Sequence, residues 1–139
     1  MELVQAARRN ESGMAMVETV IVLPLLLMIF FAIVEFGIAF GRSQVLSNAA
    51  REGARRAVVF RDPATCNAGT VKTAVDTAVV AYAATLGMTV APGDVTVSGA
   101  CTVGAARVTV TFKHDFLFLP GFAQSVSPQI VLRGTSTMR

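Results

Sequence analysis

Tryptophan is missing from this chain, and its 139 residues include one tyrosine, one histidine and two cysteines. A lone histidine, His114, rules out a His-based metal cluster or a His-x-x-x-His pair drawn from one chain. No serine sits in a G-x-S-x-G elbow and no G-x-x-x-x-G-K-[ST] loop occurs, so two common catalytic signatures are absent. His114 stands beside Asp115 at the end of a strand-like stretch, where a surface ion pair accounts for it. The chain therefore reads as a non-enzyme with no cofactor and no metal. A nucleic-acid surface would need cations interleaved with stacking rings, and this composition does not offer them. Cys66 and Cys101 have no C-x-x-C or metal-type spacing. They are either one disulfide, which requires an oxidising compartment, or two free buried thiols.

What the chain has in excess is apolar surface: 53% of its residues are hydrophobic, with a mean hydropathy of +0.60. Much of it lies in one run, Met14 to Phe40, which follows the polar leader MELVQAARRNESG. Between Glu18 and Glu35 stand sixteen uncharged residues, about 24 Å of helix at about 1.5 Å per residue. A bilayer core is about 30 Å thick, so an upright helix holds both acids near its edges. The whole run is too long for an ordinary core helix and reads as a membrane span. Pro24 is compatible with that, because neighbouring helices re-satisfy the carbonyl it frees. A cleaved secretory signal would have a shorter apolar stretch and an A-x-A-like site, whereas Gly41, Arg42, Ser43 and Gln44 follow here. Glu18 is the costly residue, roughly 2.5–3.5 kcal/mol for a charge at mid-membrane, and an intramembrane acid is a functional candidate by default. Glu35 reads as an interfacial carboxylate facing water or a functional one.

Orientation is contested within the sequence. Arg8 and Arg9 favour a cytoplasmic N-terminus, but Arg42, Arg51, Arg55 and Arg56 outnumber them after the span. The cysteines, both beyond the span, argue for an extracytoplasmic C-terminal side. Most of the net charge of +3 comes from these juxtamembrane arginines, which suit a solvated helix face or phospholipid headgroups.

Beyond Phe40 the helical pattern continues through GRSQVLSNAAREGARRAVVF, with Val45, Ala49, Glu52 and Arg56 on one side and Glu52 able to pair with Arg55 and Arg56. Small residues recur at spacing four, Gly37 and Gly41, then Ala49, Gly53 and Ala57. They are either a close-packing row of the GxxxG kind or simply a consequence of frequent Gly and Ala. RDPATCNAG (Arg61–Gly69) reads as a turn. Thr70–Leu86 carries one apolar stripe, Val71, Val75, Ala78, Val79 and Tyr82, and predicts a second helix stopped by Gly87. Alternation over Asp94–Ala100 and Ala106–His114 predicts an antiparallel hairpin, and Gln129–Met138 a last strand. Phe116–Phe122 is an apolar loop that caps the sheet or meets a partner. The fold class is α+β: a long N-terminal transmembrane helix continuing into a small soluble domain with a second helix and a small antiparallel sheet. The expected division is residues 1–13 as a cytoplasmic leader, 14–60 as the transmembrane helix with its amphipathic extension, and 61–139 as an extracytoplasmic domain.

Gly13 followed by Met14-Ala15-Met16-Val17-Glu18 resembles the prepilin-peptidase site of type IV pilin-like proteins. The succeeding VLPLLLMIFFAIVEFGIAF, and above all SNAAREGARRA, resemble the TadE-like minor pilins (pseudopilins) of the tight-adherence (Tad/Flp) pilus. The likeness covers about Gly13 to Val59. Met14 stands where many pilins have phenylalanine, and Thr19 where Phe or Tyr is frequent. The resemblance implies cleavage between Gly13 and Met14, with Glu18 as the fifth mature residue, neutralising the N-terminus of a neighbouring subunit. The other reading is a Glu18 that merely sits among headgroups. The implied partners are prepilin peptidase, other pilins and pseudopilins, the inner-membrane assembly platform and the lipid bilayer. The implied location is a bacterial inner membrane, single-pass, with the C-terminal domain outside the cytoplasm, or a surface pilus. The major pilin of such systems is a very short helical protein, so the extra domain favours a minor subunit. The alternative is an uncleaved single-span binding subunit of the pilus or secretion machinery.

Overall fold

A computed structural model describes residues 2–59, 66–102, 104–117 and 129–139, with side chains from residue 13 onward. The first helix, α1, runs Glu2–Val59 without a break, through Pro24. It is followed by α2 (Ala68–Thr85), a 3-10 turn (Pro92–Asp94) and three strands, β1 (Val95–Ser98), β2 (Ala106–His114) and β3 (Ile130–Met138). The strands pair antiparallel in the order β1-β2-β3, with Val95 opposite Val110 and Ala106 opposite Met138. The α+β class and the long apolar helix hold as expected. Of the expected turn, residues 61–65 lie outside the described residues, as do residues 118–122 of the apolar loop.

The two halves of α1 have different surroundings. An 18-residue stretch reaches a mean hydropathy of 2.7 with none of it buried within the chain, and Met14, Ile21, Leu26, Phe30 and Phe36 all stand exposed. Exposed apolar surface at this density is what a membrane span presents to lipid. Past Arg42 the helix turns inward. Leu46, Ala49, Ala50, Ala54 and Ala57 are buried, spaced i, i+3, i+4, i+8 and i+11 along one face. This corrects the rotation read from sequence: Ala49 does face the core, but Arg56 is exposed and Glu52 half-buried. Those two bond each other instead, Arg56 Nε to Glu52 Oε1 at 3.3 Å, and Arg55 approaches Glu52 at 4.0 Å.

Helix α2 begins two residues earlier than expected because Asn67 caps it, its Oδ1 accepting from the Gly69 and Thr70 amides. It ends at a Schellman motif: Met88 N–H bonds Ala83 O, Gly87 N–H bonds Ala84 O, and Gly87 takes a φ of +71°. Its buried row is Val71, Val75, Val79 and Ala83, while Tyr82 and Ala78 are half-buried. Lys72 pairs with Asp76 and donates to Pro92 O at 3.1 Å, tying α2 to the turn before β1. Both helices lie on one face of the sheet, α1 across β2 and β3 and α2 toward β1. Where they meet, a Cβ on Gly53 would stand 2.8 Å from Val79 Cγ2 and 3.2 Å from Val108 Cγ1. Only glycine fits that junction. The sheet comes closer still at Gly134, where a Cβ would lie 2.3 Å from the carbonyl of Leu46.

Candidate functional site

The described chain brings chemistry-bearing residues together at three levels along α1. At the first level stand Gly13, Met14 and Glu18. All three are exposed, the helix is continuous across them, and nothing lies within 4 Å of where a Gly13 Cβ would be. Thr19 turns its hydroxyl back onto Ala15 O at 2.8 Å, so it does not serve Glu18. Among the described residues Glu18 has neither a hydrogen bond nor a salt bridge. A carboxylate set in an apolar stripe without an internal partner is left to find one elsewhere.

The second level was not visible in the sequence as a site. Glu35 is buried, and so is His114, the latter completely. This corrects two readings. His114 makes no surface pair with Asp115; Asp115 Oδ1 accepts from Gln129 Nε2 at 2.9 Å. Glu35 does not face water; its Oε1 stands 3.1 Å from His114 Nε2, and the Leu117 amide donates to Oε1 at 3.1 Å and to Oε2 at 3.0 Å. On the far side of the imidazole, Arg42 Nη1 meets Nδ1, and the guanidinium lies over the Phe112 ring at 5.7 Å. Arginine can only donate, so Nδ1 is the unprotonated acceptor and Nε2–H donates to Glu35. A neutral imidazole therefore bridges a cation and an anion. Each buried polar group in this cluster is satisfied, and among the described residues no buried side-chain N or O lacks a partner.

Backbone geometry explains why these residues meet. The inner face of β2 carries Ala106, Val108, Val110, Phe112 and His114 by strand alternation. Running toward the apolar half of α1, that face meets Gly53 at Val108, Arg42 at Phe112 and Glu35 at His114. The strand thus ends beside the last turns of the apolar run, and the cluster fixes the domain to the span there.

The third level is the far end of the domain. Cys66 and Cys101 are joined by a disulfide with Cα atoms 5.5 Å apart. Cys101 sits in the link between β1 and β2 with a φ of 62°, a left-handed conformation uncommon for a residue other than glycine. The row of small residues splits between environments. Gly37 and Gly41 have nothing within 4 Å of a would-be Cβ, while Ala49 and Ala57 are buried in the domain's own core. No group of three or more metal-ligating side chains exists among the described residues.

The TadE-like protein family model matches residues 13–55. No curated protein matches the chain, and no solved structure does. The matched segment covers the exposed apolar helix, Glu18, Glu35, Arg42 and the start of the buried row. Members of this family are structural components that associate with other parts of a pilus, and with the apolar helix the match describes a single-pass membrane protein. Residues 13–55 are similar to the TadE-like protein family, consistent with a TadE-like protein of the Tad pilus system.

Proposed function

We propose that the chain is a minor pilin or pseudopilin of the Tad (Flp) pilus, a structural subunit cut by prepilin peptidase after Gly13 and needed for assembly of an adhesive surface filament. The observation that carries this reading is Glu18: a carboxylate in the TadE-like segment, exposed on an apolar helix face, without a partner among the described residues. Cleavage would free the ammonium of Met14, one helical turn from Glu18. A carboxylate from one subunit and an ammonium from the next then enter the filament core as a pair. Leaving either charge buried alone costs several kcal/mol, so the pairing selects axial register more than it adds net stability.

The disulfide supports an extracytoplasmic domain, since such bonds persist in oxidising compartments. It stands against the arginines after the span, of which Arg42 is engaged by His114 and Arg55 and Arg56 lie beside Glu52 on their own helix. The domain beyond the TadE-like segment suits a minor subunit rather than the filament's short repeating one. Gly37 and Gly41, open in the single chain, are suited to close approach by a neighbouring helix.

The test is Glu18→Gln, with each variant measured in sheared surface pili against inner membrane. Glutamine keeps the shape and hydrogen-bonding capacity of glutamate but cannot neutralise a cation. Processing and insertion stay intact and the sheared fraction falls. Glu18→Val partitions into the bilayer better than the parent and still fails to enter pili. Wild-type distribution of both variants would instead favour an uncleaved single-span binding subunit of the assembly machinery.

A further inference from the structure

We infer that the domain does not stand clear of the bilayer but is seated in its headgroup region, through an apolar edge formed by Leu117, Ile130 and Val131 beside the end of the span. The occupant of this edge is the lipid surface that the same chain crosses. The inference goes beyond the pilin reading and rests only on α1 spanning a membrane.

Length sets the level. A core about 30 Å thick takes up about 20 helical residues at about 1.5 Å each. Counted from Met14, the helix leaves the core near Ile33 and Val34. Yet Ile33, Phe36 and Phe40 remain exposed, Phe36 at 72%, and Phe36 and Phe40 stack at 6.4 Å on the surface. The apolar belt therefore continues into the interfacial zone. At this height the domain is already present, because Glu35 holds His114 and the backbone of Leu117.

The edge is continuous with that belt. Leu117 is 58% exposed and Val131 57%. Ile130, opposite His114, and Val131, opposite Lys113, start β3 at the same end of the sheet. Further along β3 the outer positions turn polar, Arg133, Thr135 and Thr137, all exposed. Along β3 apolar exposure is thus concentrated where the sheet approaches the span, while Val59 and Leu86 are exposed singly elsewhere in the domain. Lys113, level with Val131, and Arg133, two residues further along β3, are both exposed and suit anionic headgroups. The acid at this end, Asp115, is engaged by Gln129. Apolar side chains with long cationic ones beside and beyond them are the arrangement of an interfacial element.

The natural chain has no tryptophan, so a single one introduced reports without background. Leu117→Trp and Val131→Trp, both at exposed positions, would be compared in full-length chain reconstituted into phosphatidylethanolamine–phosphatidylglycerol vesicles. Thr77→Trp, exposed on α2, is the aqueous control, and Leu26→Trp the control within the span. The expected result is blue-shifted emission from residues 117 and 131, quenched by lipids brominated near the glycerol end of their chains. Thr77→Trp keeps water-like emission and is quenched by iodide. Water-like emission and full iodide quenching at 117 and 131, with Leu26→Trp still quenched by bromolipid, overturns the seat and leaves the pilin reading standing. Protection from iodide that depends on protein density, without bromolipid quenching, assigns the edge to a second copy and also overturns it. An unquenched Leu26→Trp removes the span, and the seat with it.

Discussion

At the scale of single residues, the decisive contacts are those of His114. Its ring is completely buried, with Arg42 on one nitrogen and Glu35 on the other. Removing the middle member leaves the buried Glu35 carboxylate with the Leu117 amide but without the imidazole donor, and a guanidinium without its acceptor. His114→Leu should therefore lower the unfolding free energy by about 1–3 kcal/mol, the cost of leaving a buried polar group short of its hydrogen-bond partner. Replacing Arg42, His114 and Glu35 together by leucine should recover much of that loss, since no charge is then stranded. Denaturant titration of the detergent-solubilised chain measures both, and a neutral single variant would show that the cluster holds nothing. Part of this was legible beforehand. The alternation Val108, Val110, Phe112 needs only one more step of two to put His114 on the inner face. Its partner was not legible, because Glu35 is 79 positions away and lies within a run that reads as lipid-facing.

Between elements, small residues do the fitting, and their roles depend on which half of α1 carries them. Gly53→Ile should be severely destabilising, because its first added atom already meets Val79, Val75 and Val108 at 2.8–3.2 Å. Gly37→Ile and Gly41→Ile should leave domain stability unchanged, with open space around both. If those two variants reach the membrane but not the filament, they pack between subunits; thermal melts beside pilus yields separate the cases. Spacing alone cannot make that division, since all five small residues share one period. Gly134 was missed for a related reason: a glycine in a strand marks a close approach, but not to what. The elements themselves were readable because period and punctuation agreed, as in the Val71–Val75–Val79 stripe ended by Gly87. The disulfide is the remaining link between elements. Its partners are 35 positions apart, so Cys66→Ser should cost about 4 kcal/mol in the chain-entropy account. Melting with and without reductant checks it, and identical curves would contradict it.

For the whole molecule, one continuous helix serves two solvents. Past Glu18 it offers lipid an uncharged apolar surface as far as Val34, and its second half supplies the alanine and glycine face on which α2 and the sheet close. The Glu35–His114–Arg42 cluster joins them, so the domain's height and rotation over the span are set by folding rather than by a flexible linker. That rigidity suits the proposed role, in which a subunit would present a fixed face while its N-terminal helix enters a filament. The central claim is that this entry begins with cleavage at Gly13. Intact-mass measurement of the protein recovered from pilus-bearing cells tests it most directly. The account predicts a mature chain starting at Met14, and uncut precursor when Gly13 is replaced by a bulky residue. A chain that retains Met1 in cells assembling pili would contradict it.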